Sequence, residues 1–301
     1  AEVSCVERNA FRTVVEIRHK MMVPSGMGEE LQRQREMCID PYTRVANRSF
    51  ELVEMDVKTV LTLEKSAKGL CVATTICNQA KDHRVRVIFP TGLHTSMHMA
   101  DSAFEVVRRN NRHNDTWTNP CGCERQQCFA AMEDEKGGLL VANRGLYEYE
   151  ILEEQDNAIA VTLLRCVAEM GDWGYFPTPK AQQLGTFCLE FEEGYAFQQD
   201  LTVAQAGLER AFLRKPGQVK PELIEGKLPL EMSFLAFEGN GIHMTAFKKG
   251  QKKDDLFVRF VNHMEQGEIL SFKKEDWMKE VYRSNVIEEK NDVLTPDADG
   301  I

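Results

Sequence analysis

Short runs in which apolar and polar residues alternate recur along this chain every ~8–12 residues, and no other feature restricts its fold as much. "FRTVVEIRHKMMV" (11–23) sets Val15, Ile17 and His19 against Val14, Glu16 and Arg18 before "PSG" breaks the pattern. "VKTVLTLEK" (57–65) alternates around Val57, Thr59, Leu61 and Leu63. "HRVRVIFPTG" (83–92) puts Val85, Val87 and Phe89 on one face and Arg84, Arg86 and Ile88 on the other. Side chains two apart on a strand share a face, so each run reads as a strand with one face to bury. "GLCVATTICNQ", "CFAAMED", "GGLLVANRG", "LYEYEILEE" and "AIAVTLLRCV" continue the series, and "GTFCLEFEE", "MSFLAFEG", "GIHMTAFKKG", "DLFVRFVNHM" and "EILSFKKEDW" follow. Roughly a dozen short strands with turns between them predict an all-β sandwich and not α/β units.

Helical pattern is sparse. "GEELQRQREMC" (28–38) has helix-forming residues but little apolar face, and reads as an exposed helix or a loop excursion. "TVAQAGLERAFLR" (202–214) spaces Val203, Ala206, Leu208 and Leu213 near helical period, weakened by Gly207 and ended by "KPGQVKP". The stretch 215–229, rich in Pro, Gly and charge, reads as a domain seam, which divides the chain into 1–215 and 216–301. The acidic end "NDVLTPDADGI" reads as frayed, and there is no internal repeat.

A length of 301 residues fits about two domains of ~150. Hydrophobic residues are 43% and charged residues 28%, enough apolar matter for a core. The apolar stretches are far shorter than the ~18 residues a membrane span needs, and the first twenty residues carry charge throughout with no apolar signal region. Opening on Ala1, the chain reads as processed or excised from a longer polypeptide. A net charge of −10, with both signs interspersed, argues against a nucleic-acid surface, and the basic stretch 106–114 reads as a solvated loop. Nine scattered cysteines with no export signal read as reduced thiols of a cytoplasmic protein and not as a disulfide framework.

Three constellations could carry chemistry. Glu148 and Glu150 lie at i and i+2, and their expected Cα separation of ~6.6–7 Å overlaps the spacing of glycosidase carboxylates. Acid and nucleophile flank a bond from opposite sides, however, whereas strand neighbours project in parallel. The pair therefore reads as a polar strand face, with Leu146, Tyr147, Tyr149 and Ile151 partly packed. Cys121, Cys123 and Cys128 in "CGCERQQC", with His113 upstream, offer zinc-ligand chemistry. The usual knuckle is C-x₂₋₄-C and no second pair closes this one, so loop thiols are the expectation. His94 and His98 stand at i and i+4, but in a turn-rich stretch with no Glu between them as metalloproteases require; they read as polar loop histidines. No phosphate loop, dinucleotide fingerprint or nucleophile elbow occurs.

Longer stretches carry a resemblance. "NRGLYEYEI" followed by "IAVTLLRCVAEMGDWGYFPTPKAQQLG" (159–185), "NQAKDHRVRVIFPTGLHTSMHMADSAFEVVRR" (78–109) and "LPLEMSFLAFEGNGIHMTAFKKGQKKDDLFVRFVN" (228–262) resemble the C-terminal part of bacterial α-mannosidases of glycoside hydrolase family 38. The resemblance covers nearly the whole chain. It implies a large mutarotase-like β-sandwich followed by a smaller one, and a catalytic zinc and aspartate nucleophile carried by an N-terminal domain upstream of Ala1. It also implies that the whole enzyme cleaves α-mannosides with retention, while this chain alone holds no catalytic residue, no zinc and no cofactor. Its partners would be its own N-terminal catalytic domain, an α-mannoside and further copies in a homo-oligomer, with neither nucleic acid nor membrane.

In that family an arginine from a central strand of the sandwich reaches toward the sugar, and the counterpart here is Arg165 in "TLLRCV". An arginine ending an apolar strand is otherwise a snorkelling or ion-paired residue. Asn143, Arg144 and Asp101 are further candidates for the pocket rim. The sequence departs from the family pattern where "AEMGDWGYF" replaces a longer Arg- and Gly-rich insertion and where Lys180 stands in place of Glu. A rival expectation is a freestanding carbohydrate-binding or mutarotase-like sandwich, for which Trp117 and Trp173, in loops, could be the stacking platforms, while Trp277 sits in a polar stretch.

Overall fold

The alternating runs form strands close to where their period places them. The computed structural model describes residues 1–40, 43–45, 47–67, 69–112, 116, 121–135, 137–170, 176–196 (192–196 by backbone alone), 233–251, 255–264 and 266–295. In chain order these hold β1 (Glu2–Arg8), β2 (Arg12–Pro24), helix α1 (Glu29–Glu36), β3 (Leu52–Glu64), β4 (Gly69–Asn78), β5 (Arg84–Phe89), β6 (Met97–Asp101) and β7 (Val106–Asn110). Then come β8 (Cys123–Arg125), β9 (Phe129–Asp134), β10 (Gly137–Asn143), β11 (Glu148–Leu152), β12 (Ala158–Arg165), β13 (Glu169–Met170), β14 (Phe176–Pro177) and β15 (Gly185–Ala196). The series ends with β16 (Phe237–Glu238), β17 (Ile242–Lys249), β18 (Leu256–Asn262), β19 (Ser271–Phe272), β20 (Val281–Ser284) and β21 (Lys290–Leu294). The protein is all-β.

The chain divides into two units, Ala1–Ser102 with Val107–Leu213, and Ala103–Val106 with Arg214–Ile301. In the first, a nine-stranded sheet of order β1-β2-β3-β4-β15-β10-β9-β6-β7 and a four-stranded sheet of order β5-β12-β11-β8 enclose one core. Ile76, Leu139 and Val141 enter from the large sheet, and Tyr149, Ile159 and Val161 from the small one. Phe89 of the small sheet meets Phe191 of the large one with ring centroids 6.2 Å apart. Each such aliphatic side chain, fully buried, contributes ~1.5–3 kcal/mol. β12 is the heart of the small sheet: Ala158 through Leu164 are all buried, and only Arg165 at its end is exposed.

In the second unit the described strands pair as β16 with β19, β17 with β18 and β20 with β21. Phe237 packs edge-on against Phe260 at 4.9 Å, and Phe257 against Tyr282 at 6.3 Å.

Several expectations change. The stretch 106–114 is not all loop, because Val106–Asn110 pairs into the large sheet as β7. His98 is no loop histidine: it lies in β6 and is buried. The chain's last stretch is not wholly frayed, since Lys290–Leu294 pairs with β20. The 28–38 excursion is helical over α1 and buries none of its residues. The expected helix at 202–214 and the seam at 215–229, together with His113, Trp117 and Trp173, lie outside the described residues. No described helix is long and apolar enough to cross a membrane.

Candidate functional site

The outer face of the four-stranded sheet gathers the charged residues that the sequence sets on three separate runs. Registry explains how. Glu150 of β11 lies opposite Ala160 of β12, which lies opposite Ile88 of β5. One register further along β12, Thr162 lies opposite Arg86. The small Ala160 and Thr162 leave room for the β5 guanidiniums to cross β12 and reach the β11 carboxylates. Arg84 Nη2 and Arg86 Nη1 both donate to Glu150 Oε2, at 2.9 and 2.6 Å. Thr162 Oγ1 and Arg165 Nη2 both donate to Glu148 Oε1, at 2.7 and 2.8 Å.

Arg165 joins this face only because β12 is irregular. Strict alternation from Ala160 and Thr162 would point residue 165 into the sandwich. A bulge between Thr162 and Leu164 inserts one residue, inverts the parity and sets Arg165 opposite Arg84. The lattice is thus three guanidiniums against two carboxylates, a positive surplus. Side-chain exposure is 22% for Glu150 and 29% for Glu148, but 49% for Arg165, whose head stands at the open rim.

Electrostatics make Glu148 a poor general acid. Burial pushes the Glu148 carboxyl up, but the Arg165 and Thr162 hydrogen bonds and the charges of Arg165 and Arg84 outweigh it and hold its pKa below the usual value. A general acid needs the opposite shift. The two side chains also project from one strand face, both into guanidinium contacts.

A dithiol adjoins the lattice. Arg84 Nη1 donates to Cys123 Sγ at 2.7 Å and Arg165 Nη2 at 3.5 Å. Gly122 lies so close to the carboxylate that a Cβ there would stand 2.8 Å from Glu150 Oε1. The C-x-C turn is therefore packed onto the charges by its glycine. Among the described residues no three His, Cys, Asp or Glu side chains converge as a metal site.

The other candidates do not meet Arg165. Asp101 is buried, and its Oδ1 accepts the backbone N–H groups of Gln127, Cys128 and Phe129 at 3.1, 2.8 and 2.9 Å. Burial outweighs those donors and raises its pKa. Asn143 is buried too; its Oδ1 accepts the Leu146 N–H at 3.0 Å and closes the turn that Gly145 passes with φ +81°. Arg144 stands exposed in that turn. On the inner side of β11, Tyr149 is fully buried with its hydroxyl sharing a hydrogen bond with His98 Nε2 at 2.7 Å and accepting from Arg109 at 2.9 Å. Burial raises the Tyr149 phenol to about 12. A surface trough of about 630 Å³ lies along β1–β4, lined by Arg18, Lys20, Asp56 and Lys58 among others. Arg18 there pairs with Glu16 and Lys20 with Glu54, and none of the sequence candidates lines it.

Sequence reasoning set Arg84, Arg86, Glu148 and Glu150 on polar strand faces, yet it missed that they meet. The outward arginines at i and i+2 of "HRVRV" were the available signal. An anchored guanidinium with a half-open head can receive hydroxyl oxygens or a carboxylate.

Comparison with known proteins gives this geometry a context. Residues 2–170 match the glycosyl hydrolases family 38 C-terminal domain, and residues 241–299 match the glycosyl hydrolases family 38 C-terminal beta sandwich domain. A putative mannosylglycerate hydrolase of Halalkalibacterium halodurans is 34% identical over 298 residues, 98% of this chain and 32% of that protein. An alpha-mannosidase from Enterococcus faecalis V583 superposes with a TM-score of 0.87 at 34% identity, over 99% of this chain and 33% of its own. A second Enterococcus faecalis structure, of a protein in glycosyl hydrolase family 38, gives 0.85 at 33% identity, covering 99% and 35%. The chain thus spans about a third of the length of these relatives.

Proposed function

We propose a function from one premise: this chain belongs to glycoside hydrolase family 38, as the C-terminal region of an α-mannosidase-like protein. In our reading it is the non-catalytic part of a cytoplasmic, zinc-dependent, retaining α-mannosidase, and it forms homo-oligomers as part of the whole enzyme. It supports a catalytic domain that precedes it in the chain, and that domain holds the zinc and the nucleophile. The outer face of the four-stranded sheet supplies one wall of the sugar pocket. The observation that carries this reading is Arg165: a bulge turns it outward, Glu148 fixes one edge of its fork, and its head remains half exposed. The rival is a freestanding sugar-binding module, whose platform candidates Trp117 and Trp173 lie outside the described residues, while exposed Trp277 belongs to the second unit.

The test uses the chain alone and the intact enzyme. Alone, with or without zinc, the chain should release no nitrophenol from an aryl α-mannoside; zinc-dependent turnover would overturn the proposal. In the intact enzyme, Arg165→Ala should lower kcat/KM about tenfold to a hundredfold, the worth of a ~1.5–3 kcal/mol hydrogen bond from a charged donor. Mannosylglycerate, whose carboxylate suits a guanidinium, should suffer more than the neutral aryl substrate. Unchanged kinetics on both would leave Arg165 as a structural ion pair.

A further inference from the structure

We propose that Cys121 and Cys123 form a dithiol–disulfide site, closed by a hydroperoxide and reopened by a thiol reductant. The two thiols stand at i and i+2, where extended backbone holds Cα atoms ~6.6–7 Å apart, near the upper limit a disulfide spans. Gly122 between them lets the backbone contract, and its own closeness to Glu150 seats the turn against the charge lattice. Cys121 is exposed and Cys123 is partly covered. Two guanidiniums stand over Cys123 Sγ, at 2.7 Å from Arg84 and 3.5 Å from Arg165, and their charge favours the thiolate that closure needs. Burial, the neighbouring Cys121 thiol and Glu148 push the Cys123 thiol up against the opposing Arg84. Cys123 therefore waits as a thiol while Cys121 meets the oxidant. Cys128, the third sulfur of the motif, is set apart: burial and Asp101 raise it to about 11.

The chemistry balances in two steps. The Cys121 thiolate attacks the peroxide's hydroxyl oxygen; an S–O bond forms, the O–O bond breaks, and hydroxide, or the alkoxide of an organic peroxide, leaves and takes up the proton Cys121 gave up. Cys123 then attacks the sulfenic sulfur; an S–S bond forms, the S–O bond breaks, and water leaves with the Cys123 proton. Two thiols are oxidised to one disulfide, and one hydroperoxide is reduced to water and, for an organic peroxide, an alcohol. Closure also removes the thiol that accepts from Arg84 and Arg165, so the oxidation state reaches the charge lattice directly.

Trypsin cuts after Arg112 and Arg125 and releases a peptide, 113–125, that contains these two cysteines and no other. The full chain would be treated with graded hydrogen peroxide, alkylated and digested for mass spectrometry. The peptide should become lighter by two hydrogens and recover with dithiothreitol, before the peptides of exposed Cys5, Cys38 and Cys188 change. In a Cys123→Ser chain, Cys121 should stop as a sulfenic acid that dimedone traps. Oxygen uptake on both sulfurs without the two-hydrogen loss, or prior oxidation of Cys5 or Cys38, would overturn the proposal. So would the absence of a dimedone adduct in the Cys123→Ser chain.

Discussion

Replacing Glu150 by glutamine keeps the shape of the side chain and removes the charge that two arginines share. Arg84 and Arg86 reach one oxygen, Oε2, at 2.9 and 2.6 Å, and side-chain exposures of 22–27% leave the three groups mostly covered. Charge-assisted hydrogen bonds are each worth ~1.5–3 kcal/mol, while fully exposed pairs are worth ~0–1 kcal/mol. Partial cover places the lattice between these limits. Glutamine still accepts one hydrogen bond, but it leaves two guanidiniums side by side on one strand face with their shared anion gone and only Glu148, 3.6 Å from Arg84, close by. The expected loss is about 2 kcal/mol, which lowers Tm by roughly 4–8 °C in a unit of ~200 residues. Urea denaturation followed by far-ultraviolet circular dichroism measures it at low and high salt. A double-mutant cycle with Arg86→Gln should show a coupling energy above ~1 kcal/mol. Glu148→Gln should cost less, because its main charged partner, Arg165, is 49% exposed. A Glu150→Gln chain as stable as the parent, or a larger loss for Glu148→Gln, would refute the argument that cover and shared charge set the strength of this lattice.

Three further outcomes follow from other groups. Glu148 is held below its ordinary value of 4.5, so it contributes stability present above pH 4.5 and lost as pH falls through its folded value; Glu148→Gln should flatten that acid limb in urea titrations. In the second unit, burial and the neighbouring His243 lower His263 from 6.5 to about 4. The fold therefore favours neutral imidazole, and stability present above pH 6.5 should drain away between 6.5 and 4, a slope that His263→Gln should reduce. Tyr149→Phe removes the hydroxyl shared by His98 and Arg109 and leaves buried polar atoms without it. The expected cost is ~1–3 kcal/mol, read as a lower urea midpoint at unchanged slope.

Period two made the strands legible because it is a local property. β2, β4, β5, β9, β10, β12 and β15 lie where alternation or apolar runs put them. β6 and β7 escaped because "SMHMAD" and "VVRRN" look like polar loop; what folds them is pairing with β9 and its neighbours, and no local pattern carries that. His98 escaped for the same reason, since its buried partner Tyr149 lies 51 residues away. The resemblance of whole stretches named the family region, a likeness of pattern that needs no pairing information.

The candidate site was harder to read because it is made by exceptions to the rule that reveals the strands. "AIAVTLLR" offers no sign of the bulge at Thr162/Leu164, and without that inserted residue Arg165 would point into the core. Nor does it show that Ala160 and Thr162 serve as the low ground over which Arg84 and Arg86 cross to β11. The two carboxylates that first look like a catalytic pair share a strand face as expected, and they end as counter-charges to three arginines gathered from two other strands. That arrangement turns the question from the glutamates to the cation they hold. Glu148 fixes Arg165 in place without burying its head, which is the physical condition for a side chain that must be rigid and still reach outward. The same sheet face also sets a dithiol under that guanidinium. A change of sulfur oxidation state at Cys123 would therefore be felt first by Arg84 and Arg165, before any strand of the sandwich had to move.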